Sequence, residues 1–143
     1  MSPRWNKSKP RRRIVPLDLK LGEETSPVQA FLKVMKALSD PNRVTILKML
    51  LQNKMMCVCE IQAALQIAQP TVSKHLKLLE AAGLVTSERD GLWMNYRPSE
   101  GDSCPYAACL IGNLKHWLAD DRKLAEIMEK LPSIRREDIT NSR

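Results

Sequence analysis

Apolar residues return every three or four positions along several stretches of this chain, and proline, glycine or short polar runs separate the stretches. The spacing of Val28, Phe31, Leu32, Met35 and Leu38 predicts an amphipathic helix over 27–39. Ser26 supplies its cap, and Pro27 suits the first helical position because the N–H it lacks would have no partner there. Asp40-Pro41 repeats that signature and opens a second helix, with Val44, Leu47, Leu50 and Leu51 on a broad apolar face and an end near Gln52-Asn53. Val58, Ile61 and Leu65 mark a short third helix, about 58–66. Pro70 opens a fourth, within QPTVSKHLKLLEAAG, and Gly83 stops it. Two short helices joined by a tight turn make a helix-turn-helix.

The period then changes. LVTSERDGLWMNYR contains two β-prone runs around Asp90-Gly91, a strong hairpin signal that predicts a wing. Ser103-Cys104-Pro105 starts a fifth helix whose Leu110, Leu114, Trp117 and Leu118 form a stripe that another subunit can cover. Leu124, Ile127, Met128 and Leu131 predict a sixth helix ending at Pro132. The expected fold is mainly α with a small β-hairpin wing, a winged helix-turn-helix. It is organised as an arm (1–25), a domain with dimerisation helices (26–131) and a polar tail (132–143).

Charge changes this picture at one end. Six of the seven net positive charges fall within MSPRWNKSKPRRR, which contains no acid, so the rest of the chain is close to neutral. Such an arm is expected to be a solvated tail or a contact to a polyanion. No run approaches the roughly 20 apolar residues of a membrane span, and the N-terminus lacks the apolar stretch of a secretory signal, so a cytoplasmic protein is expected. Its four cysteines, Cys57, Cys59, Cys104 and Cys109, would then stay reduced, available for metal binding, redox chemistry or plain burial. The sequence lacks Cys-x-x-Cys, HExxH, a phosphate-binding glycine loop and a nucleophile–base pairing, which points away from an enzyme and away from an organic cofactor.

On a helical wheel Val72, Leu76 and Leu79 of the fourth helix fall within about 60° of one another and mark its buried side. Ser73, Lys74 and Lys77 then face outward, and Gln69 and Thr71 project from the first turn. Gln, Ser and Thr can hydrogen-bond base edges in a major groove about 12 Å wide, whereas lysines serve mainly as phosphate charges. Double-stranded DNA is therefore the expected partner, with Arg89 beside the wing turn as a further backbone or minor-groove contact. His75 flanks the core side, where packing or a single phosphate contact suits it.

The remaining chemistry lies in KMMCVCEIQ. On a regular helix Cys57 and Cys59 would be about 200° apart and could not grip one ion. If Cys57 is instead the cap outside the helix, Glu60 completes a capping-box turn, and the thiols can converge once the first turn loosens. A thiol at a helix N-terminus is also expected to have a lowered pKa.

KALSDPNRVTILKMLL, QPTVSKHLKLLEAAGLV and DGLWMNYR together resemble the ArsR/SmtB family of bacterial metal- and metalloid-responsive repressors, over about residues 28–120. The resemblance implies a homodimeric winged helix-turn-helix repressor that leaves its operator DNA when an inducer binds. Cys-Val-Cys at the start of the third helix resembles the arsenic(III)/antimony(III) sensors and the cadmium/lead sensors. Gln62 stands where arsenic sensors often place a third cysteine, and the arm carries none of the cysteines that cadmium/lead sensors add. The zinc sensors' fifth-helix pattern is matched only raggedly by Asp102, Cys104 and His116. A third sulfur ligand for arsenic is expected from Cys104, from Cys109 on the face it shares with Asn113 and His116, or from a small exogenous thiol. Two rival readings use the same fold: a repressor whose thiols are oxidised, and a non-sensing architectural nucleic-acid-binding protein.

Overall fold

The computed structural model describes residues 26–100 and 104–141, so the basic arm lies outside the described residues. Among the described residues, seven helices and three strands follow one another as α1 (Pro27–Ala37), α2 (Pro41–Asn53), β1 (Met56–Cys57), α3 (Val58–Leu65), α4 (Gln69–Ala81), β2 (Val85–Asp90), β3 (Trp93–Pro98), α5 (Pro105–Leu114), α6 (Arg122–Lys130) and α7 (Arg136–Asn141), with a 3-10 turn at Leu131–Ser133. This is a winged helix-turn-helix.

Local chemistry sets most boundaries. Ser26 and Gln29 form a reciprocal capping box at the start of α1. One carboxylate oxygen of Asp40 accepts from the Asn42 and Arg43 N–H groups at the start of α2. Left-handed residues end two helices, Lys54 after α2 and Gln66 after α3. Val34, Ile46, Leu47, Leu50, Ile61, Val72, Leu76 and Leu79 are all fully buried, so one core ties α1 to α4 together.

Four elements differ from the sequence-based expectation. The wing turn is centred on Gly91-Leu92 instead of Asp90-Gly91, since Asp90 pairs with Trp93 across the ladder. Gly91 takes φ +64°, as the first central residue of a type II′ turn requires. A third strand, β1, pairs with β3 through Met56↔Tyr96 and Cys57↔Asn95, giving the order β1-β3-β2. The fifth helix ends at Leu114, so Trp117 and Leu118 lie beyond it, with Leu118 at φ +68°. The buried stripe of α5 is Ala107, Ile111 and Leu114 instead, and Lys48 Nζ closes the helix end by donating to the Leu114 and Trp117 carbonyls. Finally, the segment expected as a polar tail, 132–143, contains the helix α7, which packs on α3.

Candidate thiol site and DNA-facing surface

The two thiols of the Cys-Val-Cys stretch lie on different kinds of backbone. Cys57 ends β1 and serves as the N-cap of α3, with extended angles (φ −89°, ψ 166°), whereas Cys59 is inside the first helical turn. The 200° separation of two residues on one helix therefore does not apply. Their sulfur atoms are 2.8 Å apart with α3 intact, so no loosening of the first turn is needed to bring them together. The Glu60 carboxylate accepts from the Cys57 N–H at 2.9 Å, and the Cys57 sulfur faces the Glu60 N–H, completing the capping box.

The electrostatic expectation is reversed. Cys57 is 1% exposed, and burial pushes its thiol from an ordinary 9.0 up to about 12. The hydrogen bond with Cys59 and the nearby Glu60 charge push the same way, and only the Glu60 N–H opposes them. Loss of hydration outweighs the helix N-terminus here because Cys57, paired with Asn95 of β3, is almost fully buried. Cys57 is thus held as a neutral thiol.

The pair opens onto a cleft of 380 Å³ whose lining includes Gln62, Gln69, Arg89, Trp93, Met94 and Ile139. One cavity thus borders the thiols, the first turn of α4, the wing and α7. Cys104 lies elsewhere, as the N-cap of α5 beside Ala30 and Tyr106, and the exposed Cys109 accepts a hydrogen bond from Asn113 at 3.6 Å. His116 is exposed just past α5. Among the described residues, no three His, Cys, Asp or Glu side chains gather where they could hold a metal ion.

The second surface is the outer face of α4. Val72, Leu76 and Leu79 are fully buried, while Gln69, Thr71, Lys74 and Lys77 are exposed and Ser73 is half-buried. Arg89 is exposed on the wing. No side chain caps α4, whose N-cap is Ala68; Pro70 has no N–H, and the Thr71 N–H donates to the Ala68 carbonyl at 3.0 Å. His75 turns from this face. Its ring lies 3.2 Å from Arg43 Nη1 and 4.0 Å from the Asp40 carboxylate, so its partners are protein groups.

Sequence reasoning missed Arg136, Asn95 and Trp93. Arg136 donates to buried Asn95 and covers the Trp93 ring, although neither residue carries a pattern that announces a site. Alternation in a strand followed by a polar terminal run gives no hint of a contact 41 residues away in sequence.

A core of short helices, a recognition helix with an open polar face and a hairpin wing define a DNA-binding transcriptional regulator. Residues 40–87 match the family model for the bacterial regulatory proteins of the arsR family. The chain is 33% identical over 105 residues to the arsenical resistance operon repressor of Escherichia coli, covering 73% of this chain and 84% of that one. It is 34% identical over 101 residues to an arsenic resistance transcriptional regulator of Pseudomonas putida, covering 68% and 79%. An NMR structure from Mycobacterium bovis, described as a homodimeric winged helix-turn-helix DNA-binding domain, superposes with a TM-score of 0.52 at 28% identity, covering 68% of this chain and 82% of that chain. This chain belongs to the ArsR family of transcriptional regulators. The relatives it matches are regulators, and no helix among the described residues is long and apolar enough to cross a membrane.

Proposed function

We propose that this protein is a homodimeric repressor that releases its operator when trivalent arsenic or antimony binds Cys57 and Cys59. The observation that carries the reading is the 2.8 Å approach of the two sulfurs at the N-cap of α3, one helix before the recognition helix. Soft sulfur donors select thiophilic ions, and two converging thiols form a chelate. Arsenous acid also suits a neutral Cys57, because each thiol proton leaves with an arsenic-bound hydroxyl as water. Peroxide chemistry at Cys57 needs its thiolate, which burial disfavours there. At Cys57 that contrast supports metalloid binding over oxidation. The pair supplies two sulfurs, and a small exogenous thiol fits the third position, since Cys104 and Cys109 belong to other parts of the protomer. Cadmium, lead and zinc are the competing ions.

For DNA, Gln69, Thr71 and Ser73 are assigned to base edges and Lys74, Lys77 and Arg89 to the backbone. A dimer is supported by apolar side chains left uncovered on one protomer. Val28 is 65% exposed, and Phe31, Leu32, Trp117 and Leu118 lie between 42% and 50%. Two recognition helices in one dimer read half-sites about one DNA turn apart. Displacing the α3 cap changes how α4 is presented, and release follows from the inducer's higher affinity for the DNA-free arrangement.

The test is fluorescence anisotropy of a labelled operator fragment titrated with arsenite, antimonite, cadmium, lead, zinc or peroxide. Arsenite and antimonite are expected to release DNA at the lowest concentrations, and the Cys57→Ser/Cys59→Ser double variant is expected to bind DNA and keep it. Release by arsenite that survives in the double variant would sink this reading.

A further inference from the structure

The contacts of Arg136 join the thiol cap to the wing. Glu60 divides its carboxylate between two backbone donors, the Cys57 N–H at 2.9 Å on one oxygen and the Arg136 N–H at 3.2 Å on the other. From that anchored position the Arg136 guanidinium donates to Oδ1 of Asn95 at 3.1 Å and reaches the Asp90 carboxylate at 3.5 Å. It also lies 4.0 Å from the centre of the Trp93 ring. Asn95 is the residue opposite Cys57 in the β1–β3 ladder, and Asp90 and Trp93 are the last pair before the wing turn. The Arg136 side chain is 22% exposed, so its bond to buried Asn95 is only partly screened by water, whereas the pair with the exposed Asp90 is well solvated. Asn95, at 3% exposure, offers a buried acceptor that would lose a partner without it.

We infer that Arg136 is a positioning residue that couples the state of the Cys57/Cys59 pair to the wing, a role that rests on the reading above. Cys57 and Glu60 share one cap, so bond formation at the sulfurs moves the carboxylate that holds the Arg136 backbone. The guanidinium carries that shift to both strands of the hairpin at Asp90 and Trp93. The wing is thereby a second output of the thiol site, parallel to the path from α3 into α4. A purely structural Arg136 would change stability and leave the response to inducer intact.

The test uses the full chain with Arg136→Met, which keeps the aliphatic stem and loses every side-chain donor, and with Arg136→Lys, which restores a cation. Arsenite binding is read without DNA from sulfur–arsenic absorption, and operator affinity is read by anisotropy with and without arsenite. Arg136→Met is expected to bind arsenite within about twofold of wild type, while the ratio of operator affinities without and with arsenite falls by about tenfold, within the usual range of coupling between sites. Arg136→Lys is expected to recover part of that ratio. Trp93→Leu, which removes the ring under the guanidinium, is expected to lower the ratio in the same direction and serves if Arg136→Met fails to fold. A wild-type ratio in the variant that folds would overturn the inference while leaving the thiol reading standing. A wild-type protein that neither binds arsenite nor releases DNA overturns the reading and this inference with it.

Discussion

At the scale of single residues, the thiol pair turns on where a helix begins. Periodicity places a helix near Val58, and Glu60 three residues after Cys57 marks the cap, so the site's position and its capping box are legible in KMMCVCEIQ. Its protonation is not, because burial of Cys57 depends on β1 pairing with β3, a non-local contact that two residues of sequence cannot signal. The consequence is measurable. A raised folded pKa means that the neutral thiol stabilises the fold below about pH 9, and that this contribution is lost as pH rises from there through about 12. Urea midpoints of wild type are therefore expected to fall more steeply between pH 9 and 11 than those of Cys57→Ser. With its pKa raised by burial, Cys57 is less ionised at pH 8 than an unfolded-state thiol, so iodoacetamide should label Cys57 far more slowly, as mass spectrometry of the modified peptide reads directly.

Elements with a periodic stripe and a cap were the most legible. The apolar spacing of α4 identifies Val72, Leu76 and Leu79 as its buried side, and all three are fully buried. Leu76→Ala is expected to cost about 2–5 kcal/mol, the range for truncating a buried leucine. Asp40→Ala, which removes the acceptor for two N–H groups of α2, is expected to cost about 1 kcal/mol. Both are read from thermal or urea unfolding. Less legible were the elements defined by tertiary partners. Trp117 and Leu118 continue the helical spacing of α5, yet the helix stops at Leu114, where Lys48 takes its last carbonyl from a distance of 66 residues in sequence. The α7 segment reads as polar because its anchors are Arg136 and the Glu60 carboxylate, which composition scores as solvent-facing.

For the whole molecule, the sequence foretells a regulator from the succession of helix-turn-helix, wing and an exposed polar recognition face, and the family relationship agrees. What it leaves open is how the site talks to DNA. The cleft that borders Cys57, Cys59, Gln69 and Arg89 brings the candidate sensing and DNA-facing groups together, a proximity created by the β1–β3 pairing and the α3–α4 turn. If Lys74 and Lys77 contact phosphates, removing either to Ala should weaken operator and non-operator DNA alike and reduce the salt slope of log K by about 0.9, measured by anisotropy across a salt series.

The central claim is that arsenic is held by the Cys57 and Cys59 sulfurs. Arsenic K-edge X-ray absorption of the protein loaded with one equivalent of arsenite per protomer tests it most directly. A sulfur shell in wild type that is lost in Cys57→Ser/Cys59→Ser is the result predicted. An oxygen-only shell in wild type, or a sulfur shell unchanged in the double variant, would contradict it.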